Sequence, residues 1–533
     1  MKKIKINALL LLGTVLGLSS CTKDLDVLPK DPTVQTAESF YAQPGAYKSA
    51  LAGVYGNLSL TGTDGAGSSS LEGLDAGTSQ FGRCLWYLQD LTTDEVIWSY
   101  ENDPGTKELQ RNIWTSTNPV ILGMFSRTMV EVAFVNDFLR NTEPDKLSSR
   151  GVTDATLLSS IADYRNEVRV LRAFSYYNMM DLFGKAPFVT ENDPINFAGP
   201  EYNRQQLFSF IESELNAVLP NLKAPRTNEY GRLDQAVARM ILAKMYLNAE
   251  VYIGTPKYSE CVTQCNAIIA GGYTLNTNYL NNFKADNNSS PEMIFTLQSD
   301  GNYTQNYGPT TVFINGSVGS IEANGASLGV NAGGWGGALR LRKQFVQKFD
   351  GAAFNSDSRK TIISGTRNIE IADIANRDQG YILSKFSNKT STGATGISTT
   401  FVDTDFPLFR LADVYLMYAE CHLRGAAGTT SSQALTYVNA LRERANGGSI
   451  IANISSSDLN LDFIIDERAR ELHWESHRRQ DLIRFGKYTG GGYNWAWKGN
   501  GSNGIAISNN LKVFPIPTNA IAANPKLTQN TGY

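Results

Sequence analysis

Along much of this 533-residue chain apolar side chains recur at three- and four-residue steps, a period that only an α-helix turns into a continuous buried face. Ile161, Tyr164, Val168, Leu171, Phe174 and Tyr177 line one such face. Ala236, Met240, Ala243 and Leu247 line another, and a second amphipathic stretch, 258–270, follows the break at Gly254-Thr255-Pro256. Leu411, Val414, Tyr418 and Cys421 are followed in the same way by Ala434, Val438, Leu441 and Ala445. Each unit is a helix, a short break and a second helix over roughly 35–40 residues, close to the ~34-residue helix hairpin of tetratricopeptide repeats. The pattern predicts an all-α fold: a tetratricopeptide-like helix-hairpin scaffold carrying long loop-rich excursions. Four stretches rich in Gly, Ser, Thr and Asn, 61–77, 315–337, 387–400 and 489–504, supply those excursions. Long loops on a rigid scaffold are where binding groups tend to sit. No linker divides the chain, so residues 21–533 read as a single domain.

Residues 464–487 concentrate charge: five acids (Asp466, Glu467, Glu471, Glu475, Asp481) and six bases (Arg468, Arg470, Arg478, Arg479, Arg484, Lys487). Opposite signs fall at helical spacing, Glu467 to Arg470, Glu475 to Arg478 and Arg479, and Asp481 to Arg484. The elementary expectation is a helix with a solvated, ion-paired face.

The first twenty residues read as an export signal. Lys2, Lys3 and Lys5 precede an uncharged apolar run, 6–18, too short to span a bilayer. It ends Leu18-Ser19-Ser20-Cys21, a lipobox pattern, so residues 1–20 are expected to be removed and Cys21 to carry acyl groups that anchor the protein. The net charge of −3 is scattered and gives no reason to expect nucleic acid as a partner. Cys84, Cys261, Cys265 and Cys421 are too few for a disulfide framework and read as buried small apolar residues.

Motifs for catalysis are wanting. There is no G-x-S-x-G elbow, no P-loop and no G-x-G-x-x-G between a strand and a helix. His473 and His477 would share a helix face as two zinc ligands do in H-E-x-x-H, but Glu475 sits where the motif's acid does not, so no metal site is expected. A pair of carboxylates for glycoside hydrolysis is not singled out among the 51 acids. A non-enzymatic protein without cofactors is the expectation, with a glycoside hydrolase as the alternative from another class.

Five blocks in order resemble the SusD/RagB family of Bacteroidetes outer-membrane lipoproteins. They are Tyr164-Arg-Asn-Glu-Val-Arg169 with Leu171-Arg-Ala-Phe174 and Gly184-Lys-Ala-Pro187; AVARMILAKMYL over 236–247; DVYLMYAE over 413–420 with Leu441-Arg-Glu-Arg444; DERAREL within 466–472 with DLIRFGK over 481–487; and Phe514-Pro-Ile-Pro517 with Asn524-Pro525 and Gln529-Asn-Thr-Gly-Tyr533. Lys23-Asp24 and Asp26 also resemble the acidic surface-export signal of such lipoproteins. The resemblance implies a cell-surface, lipid-anchored protein of the outer membrane that binds oligosaccharides and acts as the lid of a SusC-like TonB-dependent transporter. Starch or a maltooligosaccharide is favoured; another plant or host glycan, or a peptide, is the alternative.

Sugar recognition needs aromatic faces for the apolar side of a pyranose and forked polar groups for its hydroxyls. The starch-binding branch places an acid, an arginine and a Trp-x-Trp-x-x-Asn run where this chain has Asp75, Arg83 and Trp98-Ser-Tyr100-Glu-Asn102-Asp103. Here the run reads Trp-x-Tyr-x-x-Asp, with Asn102 displaced by one. The neighbouring acids Glu95, Glu101 and Asp103 predict an exposed rim for Trp98 and Tyr100. Tyr303, Tyr307 and Trp335 supply further rings, whereas Trp495 and Trp497 are expected to pack against the scaffold.

Overall fold

A computed structural model describes residues 35–71, 73–319 and 324–533; residues 1–20, expected to be an export signal, and Cys21 lie outside the described residues. Nine helices carry the scaffold: α1 (Ala46–Ser59), α2 (Pro119–Asn141), α3 (Ala155–Phe183), α4 (Arg204–Val218), α5 (Gln235–Leu247), α6 (Tyr258–Ile269), α7 (Leu411–Leu423), α8 (Ser431–Ala445) and α9 (Leu461–Leu472). Their ends are set locally. Asn118 accepts from the Val120 amide at 3.0 Å, Pro119 opens α2 where no donor is needed, and Gly184 closes α3 at φ 72°. The helices pack largely as sequence neighbours: α2 on α3, α3 on α4, α5 on α6, and α7 on both α8 and α9. Residues 270–410 leave this array and return, so that α6 and α7 also pack on each other across the excursion. Of four short two-stranded antiparallel sheets among the described residues, three tie the 270–410 excursion down and one joins the ends of the α3–α4 connection. Among the described residues no helix is long and apolar enough to cross a membrane.

Residues 464–487 correct the expectation of a solvated face. α9 stops at Leu472, Trp474 and Ser476 turn through left-handed backbone at φ 59° and 62°, and a second helix, Arg478–Arg484, follows. Nearly every charge between them is buried. Two of the helical ion pairs form, Glu467–Arg470 and Asp481–Arg484. Glu475 instead takes Lys385 and Arg410, both at 2.6 Å, while Glu471 lies against Arg410, Arg359 and Arg444. Arg410 comes from β-strand Phe406–Arg410, Arg359 and Lys385 from loops on the excursions, and Arg444 from α8, so the segment is a buried electrostatic keystone joining scaffold to excursions. A buried charge is tolerated only when paired and hydrogen-bonded, and each acid here is both.

The two histidines face different partners. His473 Nδ1 lies 3.0 Å from the Arg470 carbonyl, and His477 Nδ1 lies 2.9 Å from Lys244 Nζ. Burial pushes both imidazoles well below their ordinary range, so both are neutral packing groups at neutral pH. All four described cysteines are buried thiols, and Trp495 is buried as expected.

Candidate functional site

Residues 75–103 fold into the floor and one wall of a cleft of about 560 Å³. Gln80 caps the short helix Phe81–Trp86 by accepting from the Arg83 amide at 2.7 Å. That helix runs into a single π-turn, Tyr87–Leu91, a widening that often marks a functional site. The chain then turns into strand Val96–Trp98, which pairs antiparallel with Leu339–Leu341, Trp98 opposite Leu339. This pairing carries Trp335, at the end of its glycine-rich excursion, to Trp98 and Tyr100. Trp335 is pinned by its amide to the Asn315 carbonyl at 2.8 Å, and the Tyr100 hydroxyl donates to the Trp335 carbonyl at 2.7 Å.

Asp75, Arg83, Trp98, Tyr100, Asp103, Tyr307 and Trp335 all line this one cleft. The rings meet edge to face: Trp98 lies 6.0 Å from Tyr100 and 6.1 Å from Trp335, centroid to centroid. The exposed-rim expectation is corrected for Trp98 and Glu95, both 1% exposed. Trp98 is the cleft's floor, on a strand between helix and sheet, and its indole donates to Asp103 Oδ2 at 2.8 Å. Glu95 points inward, accepting from the Trp474 amide at 3.0 Å, and Glu101 is paired with Arg111. The accessible rings are the half-buried Tyr100, Tyr307 and Trp335.

Arg83 is held between aromatics with its fork open. Its guanidinium carbon lies 5.2 Å from the Tyr87 centroid and 5.8 Å from that of Trp98, and its Nε donates to the Tyr87 hydroxyl at 2.9 Å. Burial pushes the Tyr87 phenol up to about 12, so it stays a neutral acceptor at neutral pH. Neither terminal nitrogen of Arg83 has a hydrogen-bonding partner among the described residues. Asp75 Oδ1 accepts from the amide and hydroxyl of Thr78 at 2.7 and 3.0 Å, which fixes the carboxylate and leaves Oδ2 open. Gly77 keeps the space clear: a Cβ there would lie 3.3 Å from Asp75 Oδ1 and 3.4 Å from Arg83 Nη1. The cleft thus offers a donor fork, two carboxylate edges and flat apolar faces, all positioned in advance.

Two expected residues fall elsewhere. Asn102 is exposed on the turn after Trp98 and does not line the cleft. Tyr303 lies in a separate cleft beside it. Sequence reasoning missed Tyr87, which the i, i+4 spacing from Arg83 could have suggested, and Arg377, whose guanidinium carbon covers Tyr100 at 4.3 Å. No local signal marks Arg377, which comes from another excursion.

A helix-hairpin scaffold with an aromatic, preformed polar cleft on its excursions defines a binding protein. The chain belongs to the SusD family: the family model, described as SusD family, matches residues 348–533, and full-length likeness extends to the N-terminal part. The chain is 32% identical to the starch-binding protein SusD of Bacteroides thetaiotaomicron, across 97% of its own length and 96% of that protein's. Among solved structures it resembles surface glycan-binding protein A of Bacteroides thetaiotaomicron in complex with laminarihexaose, with TM-score 0.68 and 22% identity, covering 91% of this chain and 99% of that one. A SusD superfamily protein from Bacteroides vulgatus overlays with TM-score 0.69 at 18% identity, covering 91% and 98%.

Proposed function

We propose that this protein is a cell-surface lipoprotein that captures an oligosaccharide in the Arg83–Trp335 cleft and passes it, without chemical change, to a SusC-like TonB-dependent transporter that it covers as a lid. One observation carries the reading: Arg83, fixed at Nε and sandwiched by rings, presents two nitrogens unpartnered among the described residues, beside the open carboxylate edges of Asp75 and Asp103. A pyranose stacked on Trp335 or Tyr100 brings adjacent hydroxyls to such a fork and to such acceptors. An α-glucan, starch or a maltooligosaccharide, is the favoured ligand, supported by likeness to a starch-binding protein over nearly the whole chain. A β-glucan is the second reading, favoured by the laminarihexaose held by a relative of the same fold.

Anchorage through Cys21 supports the lid role, because two proteins tethered in one membrane meet at high effective concentration and a modest interface suffices. Affinity-tagged protein isolated from mild-detergent extracts of outer membranes is expected to bring down a much larger β-barrel; recovery of this chain alone, with the barrel expressed, refutes the lid. Incubation with maltoheptaose is expected to return it intact, and any shortened product removes the pure-binder reading.

A further inference from the structure

We infer that the protein carries a second glycan cleft, on the far side of the loop that walls the first, and that one long chain occupies both. The inference rests on the reading of the first cleft as a glycan site. The partition is the segment from Ser299 to Tyr307: Tyr307 faces the first cleft, while Tyr303, four residues earlier, faces a second of about 410 Å³.

Three exposed apolar or aromatic groups gather at this second cleft: Tyr303 is 87% exposed, Ile397 60% and Tyr230 46%. Single exposed apolar side chains are ordinary, but three around one concavity are a surface that something covers. The backbone that carries Tyr303 is also held in place. Its amide and that of Asn302 both donate to Asp300 Oδ1 at 2.7 Å, and the Gly301 amide donates to Asp403 Oδ1 at 2.7 Å. Asp403 Oδ2 takes the Ile397 amide at 2.7 Å, so one carboxylate fixes both lips. Asp405 takes the Ser299 amide at 2.8 Å and the Tyr230 hydroxyl. The acids are therefore loop fasteners, already engaged by backbone, rather than a cation site.

What remains open is amide: the exposed Gln298 and Asn288 side chains have no partner among the described residues. Neutral donors and acceptors beside exposed phenol rings suit an uncharged polyhydroxy ligand. The two clefts share a wall, and Tyr307 packs edge to face on Phe401 at 5.2 Å, so the wall joins the segment bearing Ile397. A chain bound in the first cleft meets the second at high local concentration, which raises affinity for long chains without changing it for short ones.

The test compares maltotriose with amylopectin on the parent, Tyr303→Ala and Trp335→Ala. Tyr303 is so exposed that its truncation leaves folding intact. Tyr303→Ala is expected to bind maltotriose as the parent does and amylopectin about tenfold more weakly, whereas Trp335→Ala weakens both. Equal loss for both ligands with Tyr303→Ala makes Tyr303 part of a single site and overturns the inference. So does parent-like binding of amylopectin by Tyr303→Ala, and if Trp335→Ala still weakens both, the first cleft survives alone. If only Tyr303→Ala has an effect, the reading of the first cleft fails. A parent that binds neither ligand overturns the α-glucan reading and this inference together.

Discussion

Replacing Arg410 by methionine isolates the buried keystone. Arg410 is 1% exposed and serves three carboxylates: Nη1 reaches Glu292 and Glu471 at 2.7 Å, and Nε reaches Glu475 at 2.6 Å. Methionine fills much of the same volume, so no large cavity opens, and the loss is electrostatic. Leaving a buried charge without its partner costs about 3–5 kcal/mol. Here Glu292 keeps Arg444, Glu471 keeps Arg359 and Arg444, and Glu475 keeps Lys385, which places the loss at the lower end, about 3 kcal/mol. Urea unfolding followed by tryptophan fluorescence reads the loss as a lowered midpoint. The double variant Arg410→Met/Glu475→Met is expected to lose less than the sum of the single losses, because removing both charges relieves the unpaired one. A single-variant loss below about 1 kcal/mol, the range of exposed pairs, would falsify the buried-network argument.

Trp98→Ala is expected to lower the thermal midpoint markedly, since truncating a fully buried tryptophan costs about 3–5 kcal/mol; an unchanged midpoint makes the ring an exposed platform. Acid weakens the fold over a defined window. Burial raises the Glu467 and Asp481 carboxyls, but Arg359, Arg470 and Arg442 around the first and Arg468 and Arg484 around the second outweigh it and hold each at about 2. Their stabilisation is present above ordinary carboxylate pKa values and is lost as pH falls from about 4 towards 2, so a midpoint flat across that window contradicts the assignment. Glu131 acts in the opposite sense: burial pushes its carboxyl up to about 8, and stability is lost as pH rises from about 4.5 towards that value. Glu131→Gln is therefore expected to melt higher than the parent at pH about 8 and to lose that advantage near pH 4. Cys21→Ala is expected to leave the detergent phase on partitioning while remaining folded; retention there in cells lacking the proposed transporter points to another anchor.

Much of the scaffold was legible because its signal is local. The three-four periodicity of 161–177, 236–247 and 411–421 lies on α3, α5 and α7, and the breaks between hairpins carry the expected glycine or proline. The fate of residues 464–487 was not legible, since the cations that bury Glu471 and Glu475 stand at 359, 385, 410 and 444. Charge at helical spacing looks the same whether water or a distant arginine faces it. The same limit applies at the cleft. Asp75, Arg83, Tyr100 and Asp103 lie close in sequence on one continuous stretch running through a helix, a π-turn and a strand, whereas Arg377 over Tyr100, and the side of the loop on which Tyr303 falls, depend on excursions meeting in space. Glu95 was misplaced because the backbone amide it serves belongs to Trp474.

Calorimetric titration of maltoheptaose into the parent, Arg83→Ala and Trp335→Ala tests glycan capture in this cleft most directly. Covering about 50 Å² of an indole face at about 25 cal/mol per Å² gives about 1.3 kcal/mol, or about tenfold in Kd. After ordering of the ligand is offset, the parent is expected to bind in the micromolar to millimolar range. Each variant is expected to bind about tenfold more weakly, and Trp335→Ala, at a half-buried ring, with an unchanged thermal midpoint. Parent-like affinity in both variants places the glycan elsewhere and contradicts the account.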